Sequence, residues 1–128
     1  MADLVGGPWP IERVPDSDDL YYRVHRTFVR DGKPVPSVFR DRDGGMSTDW
    51  SRYSTPDETR NRGQTPLDNG VIALDVWSVR EIPQRVEHEP LPDNRAHTEV
   101  FGEKDTEVRL KLLRIARWEL PVVPGSQT

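Results

Sequence analysis

Proline placement constrains this chain more than any other feature. Twelve of its 128 residues are proline, about twice the usual ~5% share, and they fall between apolar runs rather than in one tract. Proline fixes φ and removes a backbone donor, so it marks the ends of helices and strands. Pro8, Pro10 and Pro15 set off an N-terminal arm, Pro56 opens a helix, Pro83, Pro90 and Pro92 separate late strands, and Pro121 and Pro124 close the last element. The expectation is an ordered domain of many short elements. Area scaling gives a folded surface of roughly 7,000 Å² against about 21,000 Å² for the extended chain, enough for one core and not for two. Residues 1–19 are expected as a proline-rich acidic arm, 20–120 as the domain and 121–128 as a short tail.

Composition then removes classes of function. There is no cysteine, hence no disulfide framework, thiolate nucleophile or thiolate zinc site. A formal net charge of −4 gives no overall attraction to nucleic acid or anionic membrane. No apolar run approaches a membrane span, and Met1-Ala2-Asp3-Leu4 lacks the basic and apolar regions of a signal peptide. A cytoplasmic protein without a cofactor fingerprint is expected.

Along the chain, Leu20, Tyr22, Val24 and Phe28 alternate with Tyr21, Arg23, His25, Thr27 and Val29, a strand pattern whose second face mixes aromatic and basic groups. Asp31-Gly32-Lys33-Pro34 turns the chain, and Ser37 to Arg40 is expected to pair back as a strand. Asp41 to Gly45 reads as a mobile polar loop. Thr55, Pro56 and Glu58 spell a capping box for a helix that Asn61, Gly63 and Pro66 stop within about two turns. Val71 to Val76 is a second strand, followed by a helical turn opened by Asp75 or Ser78 and closed by Pro83. Arg85 to His88 and Ala96 to Phe101 read as further strands around the Pro90–Asp93 turn. Asp105 caps a terminal helix carrying Val108, Leu112, Ile115 and Ala116 at helical spacing and expected to reach Trp118. Trp50, Trp77 and Trp118 read as core or subcore aromatics. The fold class expected is α+β: a small mixed or antiparallel sheet with the C-terminal helix on one face and a short capped helix in the middle.

Several constellations bear on chemistry. His25, His88 and His97 all sit on strands, with no i, i+4 pair to aim two imidazoles at one metal ion. His97 and Glu99 share a strand face about 7 Å apart, which suits either an acid/base pair or a charged strand edge. Gly44-Gly45 with Ser47 and Thr48 offers backbone and hydroxyl donors, yet lacks the Gly-Lys-Ser/Thr ending of a phosphate-binding loop. Lys111, Arg114 and Arg117 fall on one broad side of the terminal helix with Trp118 near its edge, a stripe able to meet phosphates and stack a base.

In chain order, Arg23 and His25, then Ser47 and Thr48, then Glu99 resemble ADP-ribosyltransferase-like domains. That resemblance implies that the basic residue holds dinucleotide phosphates, the hydroxyl orients the nicotinamide ribose, and the glutamate acts at the anomeric centre. The aromatic residues and local spacing of that family are not evident here. The segments Leu-Tyr-Tyr-Arg-Val-His (20–25), Met-Ser-Thr-Asp-Trp-Ser-Arg-Tyr-Ser (46–54) and Asn-Arg-Ala-His-Thr-Glu-Val (94–100) are similar to segments of small uncharacterised bacterial proteins, which implies that the three form one packed unit.

Three functions follow. Small size and polar clusters explicable as surface favour a non-enzymatic binding or accessory module with a protein partner. An enzyme handling NAD or a nucleotide would place Arg23, His25, Ser47, Thr48, His97 and Glu99 around one cleft. A nucleic-acid-binding module would use Lys111, Arg114, Arg117 and Trp118.

Overall fold

The computed structural model describes residues 9–42 and 44–123. The first eight residues of the expected arm, with Pro8, and also Asp43 and the tail from Pro124 onward lie outside the described residues. Strand β1 spans Asp19–His25, β2 Val29–Arg30, β3 Lys33–Pro34, β4 Met46–Trp50, β5 Asn69–Asp75, β6 Arg85–His88, β7 His97–Phe101 and β8 Arg117–Leu120. Helix α1 spans Pro56–Asn61, α2 Val76–Glu81 and α3 Thr106–Ile115. Six strands form one antiparallel sheet in the order β6-β7-β4-β1-β5-β8, and β2 and β3 form a separate hairpin. The α+β architecture expected from the sequence is the one found.

Local chemistry explains where the helices start. Thr55 accepts from the Glu58 N–H at 3.1 Å while Glu58 accepts from the Thr55 N–H at 2.9 Å, the reciprocal capping box. Asp75 accepts from Ser78 N–H to open α2, and Asp105 from Val108 N–H to open α3. The β2–β3 hairpin turns at Asp31 and Gly32, with φ of 53° and 78°, the left-handed pair that a tight two-residue hairpin requires.

Four expectations are corrected. β1 ends at His25, because the His25 ring accepts the Thr27 N–H at 3.2 Å and caps a 3₁₀ turn over Arg26–Phe28. Ser37 and Val38 lie in a second 3₁₀ turn, Pro36–Val38, and the strand facing β2 is Lys33–Pro34. The terminal helix stops at Ile115, and Arg117 and Trp118 belong to β8. There Arg117 pairs with Asp19 at 2.7 Å and the Trp118 indole donates to the Gly32 carbonyl at 3.0 Å, two anchors that favour an extended backbone beside β5. Trp77 is 56% exposed and stands outside the core, whereas Trp50 is fully buried.

One sheet face carries Leu20, Val24, Met46, Trp50, Ile72, Leu74 and Val100 into a core closed by Val76 and Val79 of α2 and Leu112 of α3. Helix α1 lies over β1 and β5, and the Arg23 guanidinium reaches up to the Thr59 carbonyl at 3.0 Å. The described part of the arm is pinned to the domain. Val14 is buried in the core, and Asp16 and Asp18 carbonyls take the first N–H groups of α2. The Asp18 carboxylate accepts from the buried Trp50 indole at 2.8 Å. Glu12 takes the Tyr53 hydroxyl at 2.6 Å, and Arg95 lies between the Trp9 and Tyr53 rings.

One irregularity of the sheet positions the site. β1 pairs with β5 along all seven residues, and β4 pairs with β7 from Met46 to Asp49. Between β1 and β4 the register covers Leu20↔Trp50 and Tyr21↔Asp49 and goes no further. The sheet is thus two three-stranded halves, β6-β7-β4 and β1-β5-β8, that share a short seam and part beyond it.

Candidate functional site

Where β1 and β4 diverge, a cleft of about 880 Å³ opens. Its β1 wall carries Tyr21, Tyr22, Arg23 and His25, and its β4 wall carries Ser47, Thr48 and Asp49. Val38, Arg40, Asp41 and Arg42 line it as well, and the β6–β7 connection supplies Asn94 before β7 supplies His97. The three segments 20–25, 46–54 and 94–100 lie side by side, since β7, β4 and β1 are neighbours in the sheet. Of the six candidates for NAD chemistry, Arg23, His25, Ser47, Thr48 and His97 border the cleft. Glu99 stands directly behind it, bound to two of them.

Strand register creates that second tier. Ser47 is opposite Glu99 and Asp49 is opposite His97, so alternation puts all four on the same sheet face. Ser47 Oγ donates to Glu99 Oε2 at 3.0 Å and His97 Nε2 approaches the same oxygen at 2.8 Å. Glu99 Oε1 is buried and has no hydrogen-bond partner among the described residues. It rests against Gly45, where a Cβ would overlap it, so a glycine at this position is required by the close approach. Thr48 is a different case. Its hydroxyl donates to the Thr98 carbonyl at 2.8 Å, which leaves Ser47 as the hydroxyl of the pair that faces the glutamate.

Asp49 is a structural hub beside this group. Its Oδ2 accepts from Thr59 and Arg62, both at 2.8 Å, and its Oδ1 from Asn94 at 2.9 Å. These bonds tie α1 and the β6–β7 connection to the floor of the cleft. His25 contributes a donor: its Nδ1 accepts the Thr27 N–H, so the proton of the neutral ring sits on Nε2. Burial pushes the phenols of Tyr21 and Tyr22 above the ordinary tyrosine range, keeping both as neutral aromatic walls.

The cleft is electropositive in a chain of negative net charge. It is lined by Arg23, Arg40, Arg42 and Arg62 against Asp41, Asp49 and Asp93. Asp49 is committed to Arg62 and Asp41 to Lys104 at 2.8 Å. Among the described residues this leaves Arg23, Arg40 and Arg42 facing Asp93. Sequence reasoning missed Arg40 and Arg42, which lie on an irregular segment with no periodicity to read. It also missed the Asp49 hub, whose partners are supplied by α1 and a distant turn. The signal that marked this wall was the mixture of aromatic and basic groups, Tyr21, Arg23 and His25, on one face of β1.

The basic stripe does not assemble. Lys111 pairs with Glu107 at 3.3 Å, Arg117 with Asp19 and Glu119, and Trp118 packs against the core. Arg114 is on α3 and Arg117 on β8. Among the described residues no group of three or more His, Asp or Glu side chains is placed to hold a metal ion, and no helix is long and apolar enough to cross a membrane. Comparison with protein-family models, with curated proteins and with solved structures finds no match.

Proposed function

We propose that this protein handles a nucleotide of the NAD type in the manner of ADP-ribosyltransferase-like domains. The observation that carries the reading is that Arg23, His25, Ser47, Thr48 and His97, from three strands far apart in sequence, line one cleft in a divided sheet, with Glu99 behind it bonded to Ser47 and His97. Arg23, with Arg40 and Arg42 nearby, supplies positive charge for phosphates. Tyr21 and Tyr22 supply ring surfaces. Ser47 would orient a ribose hydroxyl, and Glu99, behind the cleft, would act through the Oε2 that it shares with Ser47 and His97.

The chemistry this suits is substitution at an anomeric carbon. The bond from ribose C1′ to the nicotinamide nitrogen breaks, its electron pair leaves with neutral nicotinamide, and an acceptor oxygen or nitrogen forms the new bond at C1′ and gives up its proton to solvent. A carboxylate beside the developing positive charge on the ribose lowers the barrier electrostatically.

The test is calorimetric titration with NAD and with ADP-ribose, joined to chromatographic measurement of nicotinamide release. Saturable binding that weakens about tenfold in Arg42→Ala, an exposed cleft residue, equals about 1.4 kcal/mol. Glu99→Gln is expected to keep binding and to lose ~100-fold or more in release. If neither nucleotide binds, or if both variants match the parent protein, the NAD reading is wrong and a non-enzymatic accessory module takes its place.

A further inference from the structure

The bonding around His97 shows which member of the Ser47–His97–Glu99 group acts through another. The ring is held from both sides: Nε2 lies 2.8 Å from Glu99 Oε2, and Nδ1 lies 2.8 Å from the backbone carbonyl of Glu89. Carbonyl and carboxylate oxygens accept, so both contacts are made in full when both ring nitrogens donate. On the other side of Glu99, the Ser47 hydroxyl donates to the same Oε2. Two donors from two strands thus converge on one oxygen, and among the described residues Oε1 is left with none. Glu87, which faces Glu99 across β6 and β7, is occupied by Arg85 at 3.1 Å, so the nearest like charge has its own counter-ion.

We propose that His97 is the positioning residue of this site: it anchors Glu99 through Oε2 and fixes the carboxylate's orientation behind the cleft. The inference rests on the NAD reading of the cleft. A purely structural His97 would matter through its other bond, the one from Nδ1 that fastens the β6–β7 connection to β7 at Glu89. The two roles use different nitrogens, and two substitutions separate them. In His97→Gln the side-chain amide reaches the place of Nε2 and keeps a donor for Glu99, while the Glu89 bond is lost. In His97→Asn the shorter amide reaches the place of Nδ1 and keeps the Glu89 bond, while Glu99 loses its anchor.

The experiment is steady-state NAD cleavage, read as nicotinamide release, for the parent protein, the two His97 variants, Glu99→Gln and the His97→Asn/Glu99→Gln double variant. The expected result is a kcat lowered about 30-fold or more in His97→Asn with KM changed less than about twofold, and a kcat within about fivefold of the parent in His97→Gln. The double variant is expected to be no slower than Glu99→Gln alone, because the residues act as one unit. Equal losses in the Gln and Asn variants, or an Asn variant as fast as the parent, overturn the positioning role while leaving the NAD reading in place. A parent protein that releases no nicotinamide overturns both.

Discussion

At the scale of single residues, the tightest constraints lie beneath the cleft. A Cβ on Gly45 would overlap Glu99 Oε1 and stand 2.9 Å from the Phe101 ring. Glu99 cannot swing aside without giving up Ser47 and His97. Gly45→Ala is therefore expected to destabilise the protein by about 1–3 kcal/mol, the usual cost of overpacking. Urea denaturation checks this, and an unchanged midpoint would show that the carboxylate is not held as described. Asp49 is the second constraint. Its side chain is 5% exposed against 30% for Arg62, and it serves Thr59, Arg62 and Asn94 together. Asp49→Ala strips three donors of their acceptor, and because Arg62 can partly return to water the expected loss is about 2–3 kcal/mol, below the range for a fully buried broken pair. A loss under about 1 kcal/mol in reversible unfolding would place the hub's importance elsewhere.

At the scale of elements, the described part of the N-terminal arm, from Trp9 onward, is packed as part of the domain. Val14 is 1% exposed in the core, so Val14→Ala is expected to cost about 2 kcal/mol through lost burial and the cavity left behind, measurable as a lower denaturation midpoint. The hydrogen bond from Tyr53, aided by Arg52 and Arg95, holds the Glu12 carboxyl below its ordinary value of 4.5. A carboxyl lowered on folding adds stability above its unfolded value and surrenders it as pH falls through the folded one. Glu12→Gln should thus be less stable than the parent at pH 7, with the difference narrowing as pH falls from 4.5 through the lowered value; a difference that does not narrow on acidification would disprove the linkage. These elements also show why the chain was legible in part. The starts of α1 and α3 could be read, and that of α2 narrowed to Asp75 or Ser78, because a cap spans three residues and depends on its neighbours alone. The strand at Arg117–Leu120 could not, since its backbone pairs with β5 and its Arg117 and Trp118 side chains are held by Asp19 and Gly32, partners 98 and 86 positions away. Alternation put His97 and Glu99 on one face, but that Ser47 sits beside Glu99 follows from a strand register no local pattern encodes.

For the whole molecule, the consequential fact is that the six-stranded sheet is continuous in order but not in pairing. Two residue pairs, Leu20↔Trp50 and Tyr21↔Asp49, join halves that each hold a longer ladder of their own. A nucleotide in the cleft would touch Arg23 and His25 on one half and Ser47 and His97 on the other, replacing across the gap the connection that β1 and β4 do not make. Binding confined to the folded state stabilises it by about 2.7 kcal/mol at ligand a hundredfold above Kd, which corresponds to a rise in Tm of roughly 10 °C for a chain of this size. The placement of the gain matters more than its size. Amide exchange is expected to slow in residues 22–25 and 46–48, on the two sides of the gap, and to change little in the edge strand β6, which is outside the cleft. The attraction is local, between an anion and the cleft arginines of a chain of net charge −4, so raising ionic strength should weaken binding even though the protein as a whole repels anions. Protection spread evenly over the sheet, or affinity indifferent to salt, would mean that the ligand is not seated where the two halves part.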